Sequence, residues 1–479
     1  MMYKKRFKVL LMLTMVAGLW ACTKKWDDHT AITDEAINNN VYEAIAKNSN
    51  LKTFTSYLVK TGFDKVISTS KVYTVWAPTD AALTSLDASI INDDVKLKAF
   101  VANHIALLSY PNVTTAKRIQ LLNSKYVAFG ANKFDSANIV TANQYAANGL
   151  YHTIDKFIAP VDNCWEFIQK TTLANLNKTA FLNLNYIAFD STKATQIGVN
   201  PNTGAPVWDS TNGKVTRNRF LDLAENIADE SKEYTVFLLN DAAFTTEHDK
   251  LKPWFATTTT DSTNNLAAYH LVKDLAIPGL YTASQLPDTL VSKFGVKVPI
   301  NKSAIVASIR TSNGIVHIMS GMNFTLANKF PPIIIQGERP NGFAADRSTF
   351  IFYRVRTNPT TGATFNDIIM QNYGFANYWV NYRVNNMPSM RYNAFWVAVN
   401  DVQSTPLWQQ RLSIDSSNNA TTFPYVTVAF NNYNEISLGQ FRINNYRNLN
   451  LFVVGPATSS TTGGANSISL DYIKLVPAF

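Results

Sequence analysis

The stretch Tyr73-Thr74-Val75-Trp76-Ala77-Pro78-Thr79-Asp80-Ala81-Ala82-Leu83 returns as Tyr234-Thr235-Val236-Phe237-Leu238-Leu239-Asn240-Asp241-Ala242-Ala243-Phe244, displaced by 161 residues. Two further matches follow in the same order. The segment around His104 pairs with the segment around His270 at an offset of 166, and Asn148-Gly149 pairs with Asn313-Gly314 at an offset of 165. Self-similarity at a nearly constant offset marks a duplicated structural unit. Each copy reads locally in the same way. A β-rich run leads into Thr79-Asp80, or Asn240-Asp241, whose side chains can cap a short helix. An apolar helix carrying the histidine comes next, and strands ending in an Asn-Gly turn close the copy as a hairpin.

These motifs resemble those of fasciclin-like domains. The first copy carries the Thr74-Val75-Trp76-Ala77-Pro78-Thr79-Asp80 run, the central His104-Ile105, and the closing Asn148-Gly149-Leu150-Tyr151-His152-Thr153-Ile154-Asp155 element through Pro160. The second departs from the pattern, with Leu238-Leu239 in place of Ala-Pro and Ser320 where the acid stands. The resemblance implies α+β domains with a β core and surrounding helices, serving adhesion or extracellular scaffolding. The domains are expected at 35–161 and 162–330, with an exposed insertion loop, rich in Thr, Asn, Gly and Pro, near 190–218. The histidines are expected to fill polar niches in the core.

Upstream, Lys4, Lys5, Arg6 and Lys8 precede an apolar run from Val9 to Ala21, too short for a comfortable bilayer span. This is the pattern of a signal peptide over 1–21. Leu19-Trp20-Ala21-Cys22 resembles the bacterial lipobox, so Cys22 is expected to carry the lipid that holds the chain to a membrane. The segment 22–34 then reads as a charged tether. Its Lys24-Lys25-Trp26-Asp27-Asp28 run resembles the export tags of surface lipoproteins, which implies the outer membrane and the cell surface. The formal charge of +9 includes the four leader cations and leaves +5 without them. No Lys/Arg stripe interleaved with aromatics accompanies it, so nucleic acid is not an expected partner. With Cys22 acylated, Cys164 has no partner for a disulfide, and stability must come from the cores.

Downstream of Phe330-Pro331-Pro332 the repeat stops, and Gly337 to Gly342 reads as a polar linker. From 343 to 479, runs such as Tyr378–Val384 and Arg391–Val399 alternate apolar and polar residues, as strands of an all-β sandwich do. Trp379-Val380-Asn381-Tyr382-Arg383-Val384 and the closing Ile468-Ser469-Leu470-Asp471-Tyr472-Ile473-Lys474-Leu475-Val476-Pro477 resemble the galactose-binding-type jelly rolls of carbohydrate-binding modules. The expected architecture is therefore two α+β fasciclin-like domains followed by an all-β jelly-roll sandwich. Sugar binding needs flat aromatic faces against pyranose C–H patches, with amides and carboxylates reaching the hydroxyls. Trp379, Trp396, Trp408, Tyr433, Asn434 and Asn466 are the candidates. Asp471 is the one candidate for a structural calcium, as in some relatives; no other cofactor is expected.

No HExxH, CxxC, GxSxG, P-loop or dinucleotide glycine motif occurs, and no catalytic residue is expected. Two readings remain. One is a non-catalytic surface lipoprotein that binds glycan as an accessory of an outer-membrane polysaccharide-uptake system; the other is an adhesion or scaffold protein whose fasciclin-like domains bind another protein.

Overall fold

The computed structural model describes residues 38–417 and 423–479. Cys22 and the segments expected to be leader and tether lie outside them. The chain divides into two compact units, Met1–Asn163 and Cys164–Phe479. Among the described residues no helix is long and apolar enough to cross a membrane.

In the first unit, the strand Tyr73–Pro78 is buried at every position. It lies second in a seven-stranded sheet, antiparallel to Ile105–Leu107 and parallel to Gly149–Ile154, with Trp76 opposite His152. A strand covered on both faces is largely apolar, as its Tyr-Thr-Val-Trp-Ala run is, and its polar member Thr74 is satisfied by donating to the Leu108 carbonyl at 2.8 Å. The Thr-Asp pair behind it splits its labour. Thr79 caps its own helix, Asp80–Leu83, by accepting from the backbone N–H of Ala82 at 3.2 Å. The Asp80 carboxylate instead accepts from the backbone N–H groups of Lys52 and Thr53, at the start of the helix Lys52–Thr61.

Asn148 ties the unit's start to its last strand. Its amide donates to the carbonyls of Ile67 and Thr69, and its oxygen accepts from the backbone of Val41. Gly149 follows because nothing larger fits: a Cβ there would sit 1.9 Å from the Tyr73 carbonyl oxygen. Trp76 stacks on Phe134 at 4.6 Å and on His152 at 5.8 Å, forming a core separate from the one under the helices.

The second unit opens with an α+β region that repeats this pairing. Tyr234–Leu239 is wholly buried, runs parallel to Gly314–Met319 with Phe237 opposite His317, and is antiparallel to Ala276–Pro278. Asn313 donates to the carbonyls of Ile227 and Asp229 and accepts from the backbone of Cys164, while Asp241 accepts from the backbone of Leu176. The pairing of His104 with His270 is corrected. The backbone N–H of Trp76 donates to the carbonyl of His104, and that of Phe237 donates to the carbonyl of Leu275, so Leu275 is the counterpart. His270 lies inside the helix Thr260–Val272 and stacks on Phe255 at 4.1 Å. His104 itself falls just past the helix Asp94–Ala102 rather than on it. The insertion is also more ordered than the expected loop. Asn185–Phe189 pairs with Lys214–Asn218, and Gln196–Val199 pairs with Pro206–Trp208, giving two small hairpins.

The sandwich follows within the same unit as sheets of four, five and three strands. It starts earlier than 343. Ile333–Gln336 is an edge strand on Tyr472–Ala478, and Gly337, expected to open a linker, donates its N–H to the carbonyl of Asp471 at 2.6 Å. One hydrophobic cluster runs through both the α+β region and the sandwich. At the seam, Phe479 packs on Trp254 and Phe330, and Ser389 donates its backbone N–H to the Trp254 carbonyl and accepts from the N–H of Ala256.

Candidate functional site

The closing strand motif builds the site. Ser467–Leu470 belongs to the three-stranded sheet and Tyr472–Ala478 to the four-stranded one, so Asp471 is the residue at which the chain changes sheets. Its backbone is pinned on both sides, donating to the Val397 carbonyl and accepting from Gly337. Its side chain is only 8 % exposed and faces a groove of about 580 Å³ walled by Phe365 and Tyr472, with Glu338, Arg339 and Asn366 at its margins. A second hollow of about 370 Å³ shares Glu338 and Asn366 and adds Tyr353, whose ring is 57 % exposed.

Electrostatically the groove is asymmetric. Asp367, fully buried, is held by the Arg354 guanidinium through Nε at 2.9 Å and Nη2 at 2.5 Å, and Arg354 reaches on to Asp401 at 2.8 Å. Among the described residues the Asp471 carboxylate makes no hydrogen bond or ion pair with protein and lines the groove, whereas Oε2 of Glu338 is buried without a partner. Burial, reinforced by the Asp367 and Glu338 carboxylates, raises the Asp471 pKa to about 7. Tyr472 is fixed from outside the groove: its hydroxyl donates to Glu435, which also pairs with Lys474. The result is a wall of flat aromatic surface beside carboxylate oxygens that lack donors. A polyhydroxylated ring supplies what both need, a C–H face and O–H donors.

The six sugar-contact candidates are scattered. Trp396 and Trp408 are each 1 % exposed and belong to the core, so neither can present a face to a ligand. Trp396 shares the inward parity of its strand with Tyr392 and Ala394. Asn466 is fully buried and structural: its amide donates to the carbonyls of Phe375 and Thr458, and its oxygen accepts from Gly374. Trp379 is half-buried against the edge of Phe452, on a strand of the five-stranded sheet. Only Tyr433 approaches the groove, edge-on to Phe365 at 6.2 Å; neighbouring Asn434 is exposed. Calcium does not fit at Asp471. Its nearest acid, Asp367, is already held by Arg354, and no group of three His, Cys, Asp or Glu among the described residues is placed to hold a metal ion.

Glu338, Phe365, Asn366 and Tyr472 were missed from sequence. Glu338 lies in the stretch read as linker. The exposed parity of Tyr472 beside buried Ile473 was the available signal.

The buried histidines of the first unit are satisfied and neutral. His104 donates from Nδ1 to the Phe100 carbonyl and accepts at Nε2 from the N–H of Ile158; His152 donates to the Tyr110 carbonyl and accepts from the N–H of Asn143. Burial lowers both to about 4. They have no donor or acceptor left for a substrate.

A Fasciclin domain model matches residues 49–180, so a fasciclin domain stands there. No curated protein matches the chain. Among solved structures, the chain is similar to the FAS1 domain pair of the insect cell adhesion molecule fasciclin I (13% identity, 60% of this chain and 100% of that one, TM-score 0.24). It is also similar to a family 35 carbohydrate binding module from Clostridium thermocellum (18% identity, 31% and 100%, TM-score 0.22). A third is the CBM36-1 domain of a multidomain xylanase from the hindgut metagenome of Trinervitermes trinervoides (17% identity, 31% and 98%, TM-score 0.21).

Proposed function

We propose that the chain is a non-catalytic glycan-binding lipoprotein, held to the outer membrane through Cys22 and serving beside a polysaccharide-uptake system. Its sugar sits in the groove of Phe365, Tyr472, Glu338 and Asp471. The observation that carries this reading is Asp471: a nearly buried carboxylate with no side-chain partner, opening onto an aromatic-walled cavity. Its carboxylate oxygens, free of protein donors, are available to accept from a ligand's hydroxyls beside the aromatic wall. The α+β region after Cys164 is a second fasciclin-like domain in this reading, supported by the matched roles of Asn148 and Asn313. A glycan-array screen of the full chain tests the proposal. Specific glycans should light up for the native chain and fall to background for Phe365→Ala with Tyr472→Ala; an array on which both chains score alike would defeat it.

The second reading, protein-mediated adhesion through the first unit, has its own observation. Leu108 is 63 % exposed and adopts a left-handed backbone (φ 77°), where the second unit has Gly279. It stands beside exposed Leu107 and Val72, to whose carbonyl it donates. A strained, exposed leucine in an apolar patch suits a contact surface. Pull-down with Leu108→Gly as the control separates the readings, since that change leaves the sugar groove intact.

A further inference from the structure

The insertion that distinguishes the second α+β region from the first builds one wall of a separate pocket. Its stem strands, Asn185–Phe189 and Lys214–Asn218, stand against the helix Cys164–Lys170 and enclose about 390 Å³. Trp165 and Gln169, one helical turn apart on the same face, form the opposite wall, with Asn226 at the rim. We infer that this pocket is a second saccharide site, taking a neutral sugar unit.

The walls are rigid. Asn218 is buried and joins three elements: its amide donates to the Phe181 carbonyl at 2.8 Å and to Asn185 at 2.7 Å, and its oxygen caps the helix Arg219–Leu223 through the N–H of Phe220. Asp222 is clamped by the Tyr186 hydroxyl at 2.7 Å and by Arg217 at 2.6 Å. The two charges that line the pocket therefore neutralise each other, which selects against an ionic ligand. The groups left over are neutral. The side chains of Gln169, Thr216 and Asn226 make no hydrogen bond among the described residues, and Trp165, half-buried and edge-on to Phe181, contributes aromatic surface. Amide and hydroxyl groups, able both to donate and to accept, grouped around an indole, are complementary to sugar hydroxyls and a pyranose C–H patch. The volume lies in the range of small-molecule sites. The site stands independently of the sandwich groove.

The test is saturation-transfer NMR on the full chain carrying Phe365→Ala and Tyr472→Ala, which disable the groove, against a panel of neutral mono- and disaccharides. Saturation transfer, which reads binding on the order of millimolar that is too weak for an array spot or a calorimetric isotherm, should persist in this background. Affinity should weaken about tenfold when Gln169→Ala and Asn226→Ala are added, as expected for two lost hydrogen bonds at exposed amides whose removal leaves no buried group unpaired. No transfer in the groove-disabled chain, or transfer indifferent to the amide changes, overturns the pocket. Neither result bears on the groove, which the native chain reports by itself.

Discussion

Asp471 and the histidines of the first unit titrate in opposite senses. Asp471 is raised from an ordinary 3.8 to about 7 by burial and by the facing Asp367 and Glu338 carboxylates. Between those values the folded chain keeps a proton that the unfolded chain releases. Its stabilising contribution is thus present at low pH and lost as pH rises from 3.8 through 7, diminished by the solvent that reaches the carboxylate. Asp471→Asn should raise the melting temperature of the second unit at pH 8, leave it nearly unchanged at pH 4, and weaken sugar binding by removing an acceptor oxygen; circular dichroism melts at the two pH values check this. His104 and His152 are lowered from 6.5 to about 4, so their contribution is present above pH 6.5 and lost as pH falls toward 4, about 3 kcal/mol each. Protection factors of the amides in Tyr73–Pro78, referred to the intrinsic exchange rate at each pH, should fall as pH is lowered from 6.5 to 4.5.

At the level of elements, the central strands were legible because burial on both faces leaves an unmistakable apolar run, and a duplicated run cannot be mistaken for chance. The Asn-Gly elements were legible as turns, but their larger work was not. Asn148 joins Ile67, Thr69 and Val41 across the unit, contacts that no local pattern encodes. Asn148→Ala should cost about 2–4 kcal/mol, read as a lowered urea midpoint for the first unit. The tryptophans failed as candidates for a related reason. A strand of alternating parity says which residues share a face, and Trp396 shares one with Tyr392 and Ala394, yet a flat indole attracts a binding role. Trp396→Ala should unfold the sandwich, at about 3–5 kcal/mol, whereas Tyr472→Ala should abolish binding in the groove with little change in stability. Ile333–Gln336 was hidden because Pro331-Pro332 reads as a break, although a proline pair can equally precede an edge strand.

For the molecule as a whole, that short strand decides what can be cut. A fragment starting at 343 lacks Ile333–Gln336, strips the edge from Tyr472–Ala478, and uncovers Phe479 and Tyr446, which pack on Trp254 and Phe255. It should be insoluble or melt well below residues 164–479, which share one hydrophobic cluster and should unfold in a single transition. The repeat offset placed a boundary near the observed division at Asn163, while the packing of the α+β region and the sandwich into one unit was not readable, since it rests on side chains far apart in sequence. Within that unit the groove is the centre of the functional reading. Calorimetric titration of the full chain with the best glycan from an array tests it most directly. Saturable heat for the native chain that vanishes in Phe365→Ala with Tyr472→Ala, at an unchanged melting temperature, is the expected result; equal heats from the native chain and the variant would contradict it.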